Sequence, residues 1–338
     1  MLRHPLRKCL GLALATTLGL MSGIAAANTT ATFCIFDPVG AQGDAFSMAK
    51  DQALIAKSWG VDMILKPYTD EGVLSEDFKA GQCDGMAVTT LRVREFNPFT
   101  GSIDSIGAVP DQKHIQALIQ ALASPKMASR MINGPYEVVG IIPLGGVYVM
   151  VRDRNINSIE KAAGKKIAVL EWDKSEAKMV QQLGAQPVAS DITNFAGKFN
   201  NGQVDIVAAP AVAYKPLELY KGVGTAGGIF RFPLIEMTAS MIIHRDKFPA
   251  DFGQKCREYV AGQMPKAFAL ISHSEKDIPA DKWMDLSPAD KDKYTRIMRE
   301  ARLQLTAEGI YDKNMMHLLK KLRCQMDPGN AECSETDE

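Results

Sequence analysis

The chain has 338 residues, 46% of them hydrophobic and 23% charged, and its 39 basic residues balance 39 acidic ones. That composition supports a globular protein of one large or two medium domains. No basic excess points to a nucleic-acid partner, and no acidic tract points to extended disorder.

At the N-terminus, Arg3, Arg7 and Lys8 precede an apolar run from Cys9 to Met21, and Ala25-Ala26-Ala27 follows. Charged, apolar and small-residue regions in that order predict a secretory signal peptide over residues 1–27, cut after Ala27. The run is shorter than the ~20 residues of a comfortable membrane span, which disfavours a retained anchor. Cys9 opens the run instead of closing it, unlike a lipid-attachment cysteine. Losing Arg3, Arg7 and Lys8 from 39 basic residues against 39 acidic ones leaves a net charge of −3. The mature chain is expected in the periplasm.

From Thr30 the pattern alternates. "TATFCIF" reads as a strand, Asp44 to Trp59 as a helix stopped by Gly60, and "VDMILKPY" as a second strand. A short helix over Glu71–Ala80 and a third strand, "CDGMAVTT", complete a β-α-β-α-β unit, which implies parallel pairing. Ser105–Val109 is read as an added strand and Asp111–Ala123 as a helix. Tyr136–Asp153 is β-branched, aromatic and broken by Pro143, Gly145 and Gly146, which fits either one strand crossing between sheets or a hairpin.

The alternation then restarts. Helices are expected at Ser158–Ala163, Lys174–Leu183 and Asp191–Asn200, and strands at "KKIAVLEW", "AQPVAS" and "VDIVAAP". A second long extended piece, Gly228–Asp246, precedes helices at Phe252–Phe268, Pro288–Glu308 and Asp312–Leu322. Ser287 and Pro288 have the chemistry of an N-cap and a first helical residue. Two α/β units joined by two long crossings place a ligand cleft between the units, at the carboxyl ends of the strands.

The stretches "INSIEKAAGKKIAVL" and "LGAQPVASDITNFAGKFNNGQVDIVAAP" resemble the receptor subunits of TRAP transporters, a group of periplasmic solute-binding proteins. The resemblance spans nearly the whole mature chain. It implies an α/β fold of the type II periplasmic-binding-protein kind, with two lobes joined by crossing hinge strands and a helical C-terminal end. Lobe 1 is then expected over residues 28–143, lobe 2 over 144–240, and the completion of lobe 1 with the C-terminal helices over 241–338. It further implies an exported monomer that delivers a small-molecule solute to membrane transporter subunits. Such receptors commonly carry an arginine in the first strand of lobe 2 to grip a carboxylate. The matching residue here is Ala168. The chain resembles a divergent branch, some members of which carry an RND-type aminoglycoside-efflux label. An accessory role in such envelope efflux, with a vestigial cleft, is the alternative function.

Loops after strands supply the candidate ligand residues: Asp37, Gln42, Asp44, Thr89, Thr90 and Arg92 in the first unit, and Glu171, Trp172, Asp173, Ser175 and Pro210 in the second. Trp172 offers a flat apolar face, while Glu171 or Asp173 suits a cation. Together they favour an amine-containing solute over an organic acid. Asp44 and Asp173 have helix capping as their structural alternative. Arg92 or Arg94 is a replacement anion clamp or, alternatively, a surface partner of Glu95.

"GVGTAGG" holds a literal G-x-G-x-x-G but lacks the strand before and helix after that a dinucleotide site requires. The histidines lack metal-ligand spacing and no nucleophile or phosphate-loop motif occurs, so neither an enzyme nor a cofactor is expected. Of the cysteines left after cleavage, Cys324 and Cys333 flank a short Pro-Gly segment and are expected to pair, as are Cys34 and Cys83, leaving Cys256 free.

Overall fold

We describe the fold on a computed structural model covering Met1 and residues 28–338, the side chains of Lys174 and Ser175 excepted. The expected leader and its cleavage site lie outside the described residues.

The first unit forms as read. Strand β1 (Thr29–Phe36) lies between β2 (Val61–Tyr68) and β3 (Gly85–Thr89), parallel to both. Its alternation feeds two cores. Phe33 and Ile35 pack toward helix α1 (Asp44–Ser58), and Cys34 packs toward α2 (Glu71–Lys79). Both faces of β1 are covered because parallel strands linked by helical crossovers have helices on both sides. Gly60 ends α1 with φ of +82°, a left-handed conformation that a side chain would strain. Asp70 caps α2, its carboxylate accepting from the Gly72 and Val73 amides.

After α3 (Thr90–Val93) the expected strand at Ser105–Val109 is absent. The segment is a turn around Gly107, at φ +60°, whose N–H donates to the Leu234 carbonyl. Its apolar residues are buried by packing and not by sheet pairing. Helix α4 (Gln112–Ala123) follows, capped by Asp111, and then the short strand β4 (Ile132–Asn133).

The long extended stretch is one strand, β5 (Tyr136–Val151), and not a hairpin. The second unit then repeats the first on a smaller scale: α5 (Ile159–Ala162), β6 (Lys166–Leu170), α6 (Lys174–Gln182), β7 (Gln186–Ser190), α7 (Phe195–Asn200), β8 (Ile206–Pro210) and α8 (Leu219–Val223). Helix α7 starts later than expected, because Asp191–Asn194 forms a hydrogen-bonded turn ahead of it. The glycine-rich segment leads from α8 directly into β9 (Gly228–His244).

The strand order is β2-β1-β3-β9-β5-β8-β6-β7. The two ends match. In each, a first strand lies between two parallel partners, and the third strand meets an antiparallel crossing strand, β9 at β3 and β5 at β8. The boundaries expected at 143/144 and 240/241 fall inside β5 and β9, so each crossing strand passes from one unit to the other within a single continuous sheet. Their mutual register shifts between Pro143 and Gly145 and again between Gly146 and Tyr148, which marks the passage between lobes.

The helix expected over Phe252–Phe268 is two helices, α9 (Phe252–Gly262) and α10 (Met264–Lys276). Pro265 has no N–H to donate, so it fits the first turn of α10 and not the interior of one long helix. A two-residue strand, β10 (Trp283–Met284), pairs with β9 at Ile229 and Phe230. Helix α11 (Pro288–Ala307) has the expected Ser287 cap and leads to α12 (Lys313–Met326). It touches both lobes. Tyr294 packs on the lobe 2 core and Met298, Ala301 and Leu305 belong to that of lobe 1. Buried Arg302 and Arg323 both bond to Glu332 and Glu338, which fixes the C-terminal segment against α11 and α12. The Cys34–Cys83 and Cys324–Cys333 disulfides are both present, and Cys256 is a buried free thiol.

Candidate functional site

The carboxyl ends of β1 and β3 face those of β6 and β8 across a cavity of about 440 Å³. The volume suits a small molecule. Strand ends supply residues from each lobe, and the crossing strands supply the back wall. Ile35 and Leu91 line it from lobe 1, Ala168 and Leu170 from lobe 2, and Ile142 and Met237 from between. Period-two alternation on β9 turns Ile235, Met237 and Ala239 to this cavity. Residues of α10 close one side.

The charged residues lining it, among those described, are Asp37, Asp44, Asp51 and Glu176, with Lys266 as the one cation. No arginine is among them, and Ala168 contributes only a methyl group.

The sequence candidates fall into three groups. Asp37, Gln42, Asp44, Thr89 and Pro210 line the cavity. Asp37 is buried and its carboxylate accepts from the Val39 and Phe46 amides, which steadies the loop entering α1. A side chain at Gly43 would overlap that carboxylate, hence the glycine there. Asp44 is exposed as the first residue of α1 and makes no capping bond, since Gly43 holds the cap position.

Arg92, Trp172 and Asp173 form the second group, at the junction of the lobes. The Arg92 guanidinium lies over the Trp172 ring, 3.9 Å from its centroid, and beside the buried carboxylate of Glu71 at 3.8 Å. Arg94 reaches Asp173 at 3.4 Å and donates to the Gly101 carbonyl. The reading of Glu95 as partner of these arginines is corrected here, because Glu95 pairs with Lys79 and accepts from the Ser75 hydroxyl. Sequence proximity favoured a neighbour one or three residues away, whereas the folded chain brings in residues 79 or 80 positions distant.

Of the remaining three, Thr90 and Glu171 lie off the cavity wall. Thr90 is buried in a hydroxyl network with Ser240 and Thr238, where Thr238 also donates to Asp104. Glu171 is exposed on the loop. The side chain of Ser175 lies outside the described residues.

Like the exposed Asp51 and Lys266, Glu176 is a charged lining residue that the sequence did not single out. A carboxylate one turn into a helix reads as a complement to the helix dipole, so its type and position carry no separate signal. Its carboxylate accepts from the Leu170 amide at 2.7 Å. Burial, with Asp173 nearby, pushes its pKa up to about 8. Behind the sheet, burial pushes Asp104 up to about 7, and burial with Glu275 beside it pushes Glu236 up to about 8. Glu236 sits opposite Gly146 on the crossing strands, 5% exposed, and one of its oxygens is buried without a hydrogen-bond partner.

Comparison with known proteins places this geometry. Residues 52–338 match the family model described as "Solute-binding protein AdeT 1/2". The probable solute-binding protein AdeT1 of Acinetobacter baumannii is 50% identical over 304 residues, covering 90% of this chain and 100% of that protein. AdeT2 of the same organism is 32% identical over 233 residues, covering 69% of this chain and 98% of that one. Among solved structures, a TRAP periplasmic solute-binding protein of Desulfovibrio salexigens with bound orotic acid has a TM-score of 0.73 at 14% identity, over 88% of this chain and 100% of its own. One from Ralstonia eutropha H16 with bound (S)-2-acetolactate has a TM-score of 0.73 at 15% identity, over 88% and 99%. These share the two-lobed fold.

Proposed function

Because the chain belongs to the solute-binding protein AdeT 1/2 family, we propose that it is an exported, non-enzymatic receptor that captures a small solute in its interlobe cleft and presents it to a membrane transporter. The leader-like N-terminus supports export to the periplasm. Among the described residues no helix is long and apolar enough to cross a membrane.

The observation that carries the ligand reading is the lining of the cleft. Among the described residues its walls are apolar, its one cation is the exposed Lys266, and four carboxylates border it. The fold relatives described above hold organic acids, but here the position expected to grip a carboxylate is Ala168. Arg92 and Arg94 are absent from the lining and engaged elsewhere. A solute with an apolar body and a protonated amine suits this surface, the body meeting Ile35, Leu91 and Met237 and the amine meeting Glu176, whose raised pKa the cation would bring down by favouring the carboxylate.

Thermal-shift and calorimetric screens of amines, polyamines, aminoglycosides, amino acids and dicarboxylates test this. Binding to the native state alone raises its stability by mass action, about 2.7 kcal/mol at a hundredfold excess over Kd. Amines with apolar bodies are expected to register, and Glu176→Gln to weaken them about tenfold or more, the scale of a hydrogen bond to a charged group. Dicarboxylates binding equally well to wild type and Glu176→Gln would overturn the amine assignment. Silence across the panel, with capture of a membrane partner that needs no ligand, would overturn the receptor reading in favour of an accessory efflux role.

A further inference from the structure

The sheet begins at β2, which has β1 as its one strand partner among the described residues. The register between the two is unbroken from Val61 to Tyr68. The outer edge of β2 therefore presents backbone groups that no strand pairs. Which groups these are follows from the bonds at the two ends. The Thr29 N–H donates to the Gly60 carbonyl, and the Asp37 N–H donates to the Tyr68 carbonyl. Residues of that parity turn toward β1, so Val61, Met63 and Leu65 turn their N–H and C=O groups outward, joined by the Pro67 carbonyl.

Apolar surface gathers around this edge. Ile64 on β2 is 56% exposed, with Leu54 at 73% on α1 and Val73 at 53% on α2, the two helices packed against β2. The matching edge of lobe 2 differs. Strand β7 has five residues and carries none of the large exposed apolar side chains. A long strand edge with exposed apolar residues on one lobe alone suits a partner there. Its charges specify which partner. Asp62 and Lys66 stand two residues to either side of Ile64, on the same face of the strand. We propose that β2 pairs antiparallel with β2 of a second copy of the chain, about a two-fold axis at Ile64. That register sets Asp62 of each copy opposite Lys66 of the other, so the interface gains two opposite-charge pairs.

Backbone and charge agree on this register. It places Met63 opposite Leu65, both with outward N–H and C=O groups, as the hydrogen-bonded pairs of an antiparallel ladder require. An axis at Met63 or Leu65 also joins outward residues, but it sets Asp62 or Lys66 against Ile64. At the far end Pro67 has no N–H to offer, while its carbonyl can accept from Val61 of the other copy. Two-fold pairing uses up the edge in both copies, so assembly stops at two. Asp62 also reaches Lys57 at 3.4 Å, and the Lys66 ammonium lies over the Tyr68 ring at 5.0 Å. These are exposed contacts of small energy, and neither commits its residue. None of Asp62, Ile64 and Lys66 lines the cleft, so the pairing stands apart from any solute assignment. The dimer departs from the monomer that the sequence resemblance implies.

Sedimentation equilibrium of the full mature chain, from micromolar to millimolar, tests the pairing. A monomer–dimer equilibrium is expected. Asp62→Lys and Lys66→Asp should each raise the dimer dissociation constant about tenfold, because the axis counts every change twice. The double exchange Asp62→Lys/Lys66→Asp should restore it. Cysteine cross-linking reads the register. Ile64→Cys should oxidise to a covalent dimer, since facing residues of a non-hydrogen-bonded pair lie within disulfide reach. Lys66→Cys, which faces Asp62, should not. The introduced thiol is the accessible one, because Cys34–Cys83 and Cys324–Cys333 are bonded and Cys256 is buried. Circular dichroism identifies any variant that does not fold, and the other charge reversal then gives the same readout. A monomer throughout the range, a dimer unmoved by the charge reversals, or equal cross-linking of Ile64→Cys and Lys66→Cys would overturn the pairing.

Discussion

The two lobes share one topology and differ in construction. In lobe 1, β1 and β2 run eight residues each and α1 runs fifteen. In lobe 2 the three parallel strands have five residues each, and α7 and α8 have six and five. Lobe 1 has a disulfide from β1 to the approach of β3, and its cores extend over α4, α9, α11 and α12. Lobe 2 has no cysteine, and its two smaller cores are built around Phe199 and Val207 in one and Ile167 and Val169 in the other. One topology therefore serves as a rigid support on one side and as a lighter, more deformable cover on the other, since regions with fewer buried contacts open at lower free energy.

The sharpest way to break this asymmetry is to remove its covalent part. The Cys34–Cys83 bond closes a sequence separation of 49 residues, and chain-entropy reasoning gives about 4 kcal/mol for a loop of that size. Replacing both cysteines with Ala should lower stability by that order in denaturant titration and bring lobe 1 closer to lobe 2. The same change at Cys324–Cys333, with a separation of 9, should cost about 2.5 kcal/mol. Equal losses at both sites would contradict the entropic account.

Next in size is Phe199→Ala in lobe 2. Phe199 is fully buried and its ring occupies the space where Gly222 would carry a side chain. A loss of about 3 kcal/mol is expected. Hydrogen exchange should show amides of β6, β7 and β8 opening well before those of β1. Uniform acceleration in both lobes would show that they unfold as one.

The seam between the lobes gives the third prediction. Glu236 has a folded pKa of about 8, above its unfolded value, so the native state retains a proton that the unfolded chain releases. Its contribution is complete below the unfolded pKa and is lost as pH rises through 8, at up to about 1.4 kcal/mol per pH unit for one full proton. Melting temperature should fall from pH 5.5 to 8 in the wild type and fall less in Glu236→Gln. Parallel curves would exclude Glu236 as the source.

The smallest effect concerns a single cap in lobe 1. Asp70→Ala removes the bonds to Gly72 and Val73 and should cost about 1 kcal/mol by chemical denaturation, without altering cleft binding.

Much of this was legible in the sequence because local signals were strong. Glycine stops, Asp and Ser caps and the alternation of β1 set the repeated units and both crossings. The disulfides followed from compartment and spacing. Four things were not legible, each because tertiary contacts decided it. The apolar run at Ser105–Val109 looked like a strand, but apolarity alone does not separate pairing from packing. Arg92 and Arg94 were given a neighbour in sequence, while their partners depend on how two lobes meet. Glu176 became a cavity residue only through the placement of α6 against β6. Ala168 was readable as a missing arginine. The apolar cavity around it was not, because its wall is assembled from segments throughout the chain.

The edge of β3 has a further consequence. Its outer neighbour is β9, and β4 to β8 lie between them in sequence. A chain threaded N-terminus first through a narrow pore therefore presents an unfinished sheet while lobe 2 is still to follow. The Cys34–Cys83 bond needs none of the later segments, since both sulfurs lie within the first unit. In an oxidising compartment it can form first. Under the export proposed above, the loop it closes would no longer fit a passage that admits a single extended strand, so the bond would act as a ratchet against backsliding before the sheet is complete.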